Sequence, residues 1–118
     1  MGAQWLVSPS AWAVDASHDN QVAPYGDLWL RAYRELGQLY DLPVIGVSAV
    51  GWIKAGPWKG RKLIGCSLAT DRYGEVIARG PYGECAEALI KVNVELRMPR
   101  VAGTQIVDDL ATRGYHGP

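Results

Sequence analysis

Phenylalanine is missing from this sequence, and histidine, methionine and cysteine appear only twice each. Cys66 and Cys85 stand far apart with no C-x-x-C pair, so they cannot supply the disulfide framework of a small secreted domain, and they do not space like a zinc knuckle. A reducing, cytoplasmic setting fits that usage. The histidines, His18 and His116, lie at opposite ends of the chain without ligand spacing around them, so no metal is expected. An excess of charge is absent as well, because 12 Lys and Arg balance 12 Asp and Glu. Without a clustered field there is nothing to draw in nucleic acid or an anionic membrane surface. No window reaches the roughly 18 consecutive apolar residues of a membrane span, and the MGAQWLVSPS start lacks the basic and apolar regions of a signal peptide.

What remains is the composition of one soluble α/β domain, 48% hydrophobic and 20% charged over 118 residues. Gln4 to Ser8 reads as a strand that Pro9 ends, and from Pro9 to about Gly26 neither the strand nor the helix period is present. A stretch that long without a pattern is often functional. Asp27 is an N-cap for a helix over about 27–40, with Leu28, Ala32, Leu36, Leu39 and Tyr40 as its apolar stripe and Pro43 beyond its end. Val44 to Val50 then runs apolar without alternation, the signature of a strand covered on both faces. Strand, helix, strand implies a parallel βαβ unit. After a glycine-rich loop from Gly51 to Gly60, the segments 63–69 and 75–79 read as an antiparallel hairpin around Asp71 to Gly74, followed by a second turn at Gly80 to Gly83. Ala88 to Leu96 alternates apolar and polar residues, the pattern of a strand with one dry face. Pro99 breaks it, and a tail from about 97 to 118 holds a short helix over Thr104 to about Arg113.

Few residue groupings carry chemistry. Ser17-His18-Asp19 contains the residue types of a hydrolytic triad, yet neighbours in sequence point in different directions and do not converge. Cys66 sits in an apolar run where burial raises a thiol pKa, and Cys85 is flanked by Glu84 and Glu87, which disfavour a thiolate. Gly56 to Lys62 gathers positive charge without matching a P-loop, so a solvated inter-strand loop and an anion- or nucleotide-binding module both stand as readings of it. The five tryptophans, Trp5, Trp12, Trp29, Trp52 and Trp58, have no basic groove beside them and read as core, pocket wall or subunit interface.

Segments in register carry more than any single motif: Gly2 to Trp12, Arg31-Ala32-Tyr33, Val47 to Gly51, Ile64 to Ser67, Asp71 to Val76 and Glu87 to Val94. Over roughly residues 2 to 96 this order resembles the C-terminal half of a carbon–nitrogen hydrolase of the nitrilase superfamily. The resemblance implies an incomplete α-β-β-α sandwich, a βαβ unit followed by an antiparallel meander, and it makes residues 1–118 one partial domain. It implies hydrolysis of a nitrile, amide or carbamoyl compound by a cysteine nucleophile, a glutamate base and an oxyanion-stabilising lysine, with no cofactor. In the family those three residues precede the strand that Gly2 to Ser8 resembles, so no catalytic residue is assigned here and the isolated chain is expected to be inactive. Met1 then reads as an internal methionine taken for a start, or as the end of a split gene. What carries over is the pocket wall after the first strand, with Ser10, Ala11, Trp12 and His18 as substrate-binding candidates. Ala49 departs from the family, where an asparagine often follows the strand.

A sandwich half needs its other half to cover the apolar strand. The rival reading is a non-catalytic α/β half-domain that associates with itself, as a homo-oligomer, or with a homologue.

Overall fold

The computed structural model describes residues 3–98 and 105–115. Its elements are β1 (Leu6–Ser10), β2 (Ala13–Val14), α1 (Gly26–Tyr40), β3 (Val44–Ser48), β4 (Val50–Trp52), β5 (Lys62–Ile64), β6 (Leu68–Thr70), β7 (Val76–Arg79) and α2 (Gln105–Thr112). They make a small α/β fold with a four-stranded mixed sheet, β1-β3-β6-β7, and a three-stranded antiparallel sheet, β2-β5-β4. Expectations that fall on Met1, Gly2, Pro99 to Thr104 and His116 to Pro118 lie outside the described residues.

The βαβ unit is present, with β1 parallel to β3 from Leu6 opposite Val44 to Ser10 opposite Ser48 and α1 as the crossover. Pro9 lies within β1 instead of ending it. The Leu6 N–H donates to Pro43 and the Ser10 carbonyl accepts from Ala49, so even-numbered positions face β3 and the backbone of Pro9 faces outward from an edge strand. Asp27 does not cap the helix. Tyr25 holds that position without a side-chain bond, its own N–H donating to Asn20 Oδ1 at 2.7 Å, while Asp27 sits in the first turn where a carboxylate complements the helix dipole. At the other end Asp41 adopts a left-handed conformation, φ 56°, and forms a two-pronged ion pair with Arg72 in the β6–β7 turn.

Two apolar runs prove to be pairs of strands. The run 44–50 divides at Ala49 between β3 and β4, and 63–69 divides between β5 and β6 at Gly65 and Cys66, whose φ angles are 78° and 63°. Each run therefore feeds both sheets, and Ala49 joins them through its backbone, donating to the Ser10 carbonyl and accepting from the Gly65 N–H. The β6–β7 hairpin forms as the turn residues dictate: Asp71 Oδ1 accepts the N–H groups of Tyr73 and Glu75, and Gly74 takes φ 81°.

Of the expected stripe, Leu36 alone lies on the buried face of the helix. Leu28, Leu39 and Tyr40 are exposed, as is Ala32, and the side turned to the sheet carries Trp29, Leu30, Tyr33, Leu36 and Gly37. Tyr33, Leu42, Val44 and Leu68 form the core beneath it. Close approach decides this orientation. The Tyr33 ring lies directly over Gly46 of β3, and Gly37 meets the backbone of Asp71 and Gly74.

The opposite face of the four-stranded sheet is largely bare. Val7 and Val47 are 50% and 56% exposed, and Ile45 and Val47 border an open cleft of about 230 Å3 whose far wall is the segment 88–92. That segment is not the expected strand. Val92 and Val94 are half-buried while Lys91, Asn93 and Glu95 are exposed, so the alternation holds, but no ladder forms along it. The last pairing beyond the hairpin is the bridge between Gly65 and Tyr82.

Gly46→Ala places a methyl group inside the space of the Tyr33 ring and hydroxyl, and a loss of about 1–3 kcal/mol is expected in urea unfolding. The same substitution in a Tyr33→Leu background should lose markedly less, and equal losses in the two backgrounds would contradict this packing.

Candidate active site

Ligands of open α/β sheets bind outside the carboxyl ends of parallel strands. In this chain that rim is where the two sheets meet. Ser10 ends β1, Ser48 ends β3 and Ser67 stands just before β6. The Ser10 and Ser48 hydroxyls are 2.8 Å apart, and the Ser48 N–H donates to Ser67 Oγ at 3.0 Å. Three hydroxyls from three strands thus line one edge.

Trp12 and His18 belong to the segment between β1 and α1 and meet at the Tyr25 ring. Trp12, half-exposed, packs against Tyr25 at 5.9 Å and edge-on against Trp29 at 5.6 Å, and Trp29 continues to Tyr33 at 6.0 Å. His18 follows β2 in a turn closed by its N–H on the Asp15 carbonyl, its ring edge-on to Tyr25 at 6.2 Å. Both His18 Nε2 and Tyr25 Oη are buried without a hydrogen-bond partner in the structure. Burial first, and the neighbouring Cys66 second, hold the Tyr25 phenol above its ordinary pKa. Ala11 is exposed at the bend between β1 and β2. The structure therefore joins Trp12 and His18 through the Tyr25 ring, sets Ser10 at the end of β1 beside Ser48, and leaves Ala11 exposed between β1 and β2.

Ser17-His18-Asp19 forms no triad, because Asp19 Oδ1 accepts the Gln21 N–H and His18 Nε2 has no partner. Cys66 lies in the bend between β5 and β6 and not in a strand, and burial raises its thiol pKa. No group of three or more His, Cys, Asp and Glu among the described residues is arranged to hold a metal ion. No described helix is long and apolar enough to cross a membrane. The loop from Gly56 to Lys62 spends its donors on itself: Lys59, Gly60 and Arg61 N–H groups bond to Gly56, Ile53 and Trp58 carbonyls. Its Arg61 pairs with Asp15 at 3.2 Å and covers Trp58, and Lys62 lies over Trp52, which leaves no cradle for a phosphate.

Below the rim, a second cleft of about 220 Å3 separates the start of α1 from β6 and β7, bordered by Asn20, Asp27, Cys66, Ser67, Arg79 and Tyr82. Of the rim and cleft residues, Ser48, Ser67, Tyr25 and Arg79 were not marked by sequence. Ser48 and Ser67 stand inside the apolar runs 44–50 and 63–69, so no local signal in the sequence marked them as lying where a strand ends or begins.

No family model matches the chain, and no curated protein matches it. Among solved structures, a carbon-nitrogen hydrolase from Helicobacter pylori G27 superposes with a TM-score of 0.58 and 26% identity, covering 70% of this chain and 30% of that one. Part of this chain is related to the nitrilase superfamily of carbon–nitrogen hydrolases, and it matches less than a third of that relative's length.

Exposed Cys85 and half-buried Cys66 should separate in alkylation. With iodoacetamide near pH 8, peptide mapping is expected to find Cys85 modified well before Cys66, whose raised pKa keeps it protonated. Faster labelling of Cys66 would identify it as an activated thiol and reverse the reading of the bend.

Proposed function

We propose that this chain acts as the C-terminal portion of a nitrilase-superfamily hydrolase, on a small nitrile, amide or carbamoyl substrate, in the cytoplasm. The observation that carries the reading is the likeness of 70% of the chain to part of a carbon-nitrogen hydrolase. The bare face of the four-stranded sheet supports it, because that face has the character of one inner surface of an α-β-β-α sandwich. In this reading the cysteine nucleophile, glutamate base and oxyanion-stabilising lysine come from outside the residues of this chain. In this reading Cys66, whose thiol pKa burial raises, is not the nucleophile. The chain contributes the pocket wall: the hydroxyl edge of Ser10 and Ser48, and the aromatic side of Trp12, Tyr25 and His18, which would shield a thioester intermediate from premature attack by bulk water.

Co-expression with the segment of a carbon–nitrogen hydrolase that carries its Cys, Glu and Lys tests this. Ammonia release from a panel of amides and nitriles is expected from the soluble pair and not from this chain alone. A soluble pair that stays inactive across the panel would end the enzymatic role.

The same bare face favours a second reading, a non-catalytic half-domain that covers Val7 and Val47 against a second copy of itself. Light scattering of the purified chain decides between them. A homo-oligomer supports self-association, and a well-folded monomer removes it.

A further inference from the structure

We propose that the cleft between the first turn of α1 and the end of β7 binds a small zwitterion of the α-amino-acid type. Two opposite formal charges border this one cavity, the Asp27 carboxylate from α1 and the Arg79 guanidinium from β7. Neither forms an ion pair or a side-chain hydrogen bond with any other described residue. Opposite charges that share a cleft without meeting leave room for a ligand that separates them, one end cationic and the other anionic. Arg79 offers the planar fork that suits a carboxylate, and Asp27 accepts from an ammonium group.

The rest of the wall suits the rest of such a molecule. Leu68 supplies an apolar patch, and Asn20, Ser67 and Tyr82 supply neutral polar groups. Those three are already held in place: the Asn20 N–H donates to Tyr82 Oη at 3.3 Å, and Ser67 Oγ accepts the Ser48 N–H. Their orientation is thus set before a ligand arrives, which lowers the entropy lost on binding. At about 220 Å3 the cavity falls below the roughly 300–1,000 Å3 of drug-sized sites, a volume for a single amino acid and not for a nucleotide. Ser67 belongs to both the cleft and the hydroxyl rim, so an occupant would lie next to the candidate active site. The proposal needs no hydrolysis and stands apart from the enzymatic reading.

A titration of the full chain, followed by amide NMR, tests it with three probes of one shape: L-leucine, 4-methylpentanoate, which lacks the amine, and 3-methylbutylamine, which lacks the carboxylate. Leucine is expected to shift the amides of Ser67, Leu68, Gly80 and Tyr82 saturably and to bind about tenfold or more tightly than either analogue. Arg79→Gln should reduce leucine to the affinity of the amine, and Asp27→Asn to that of the acid. Both positions are exposed, so the spectra of the variants should otherwise overlay on the parent's. No saturable shift with leucine, equal binding of leucine and an analogue, or indifference to both substitutions would overturn the proposal. Leucine binding without amide turnover in the co-expressed pair would sink the hydrolase reading alone, and turnover without leucine binding would sink this one alone.

Discussion

Everything in this fold that bears on function follows from how closely α1 can approach the four-stranded sheet. Tyr33 lies over Gly46, where any side chain would collide with its ring, and Gly37 lets the helix meet the turn at Asp71 to Gly74. That contact fixes which helix face is buried and, through the crossover, holds β1 parallel to β3. It also commits the layer to one-sidedness. With α1 on one face, the opposite face, bearing Val7, Ile45 and Val47, has only the unpaired segment 88–92 against it among the described residues. An apolar surface of that kind marks a place where another layer belongs.

The second constraint is the junction of the two sheets. β1 leads into β2, β3 into β4 and β5 into β6, all at the same rim, and the backbone of Ala49 bonds to both Ser10 and Gly65 there. The margin of the rim is the segment from Ala11 to Tyr25, held by the β2–β5 pairing, the Asp15–Arg61 ion pair, short turns and aromatic contacts. Strand ends beside an aromatic wall suit a pocket that must position a small molecule. At that joint Ala49 contributes its backbone N–H and carbonyl, bonded to Ser10 and Gly65.

Much of this was legible in the residues, and the misreadings share a cause. The crossover unit, the hairpin at Asp71 to Gly74 and the helix over 27–40 follow from local period and turn chemistry, which act within a few residues. The likeness to carbon–nitrogen hydrolases rested on the order of weak segments, and the structural comparison supports that relationship for part of the chain. Long apolar runs misled, because 44–50 and 63–69 each feed two sheets and nothing in composition marks the positive φ of Cys66 as the break. The helix, Leu36 aside, turns a face other than its leucine stripe to the sheet, because the packing is decided by a tyrosine against a glycine. Ala88 to Leu96 has a strand's pattern, but a strand exists only beside a partner. Of the site, Trp12 and His18 share the Tyr25 ring and Ser10 meets Ser48, while Ser48, Ser67 and Arg79 required knowledge of which strand ends are neighbours.

The central claim is that the bare face is an interface layer and not a surface built for water. Val47→Lys, at a position 56% exposed on that face, tests it in one preparation. The account predicts that the stability of the chain alone changes by no more than about 0.5 kcal/mol in urea, as for a surface substitution, while assembly with a hydrolase half or with a second copy is lost. Assembly that persists with the lysine in place would contradict it.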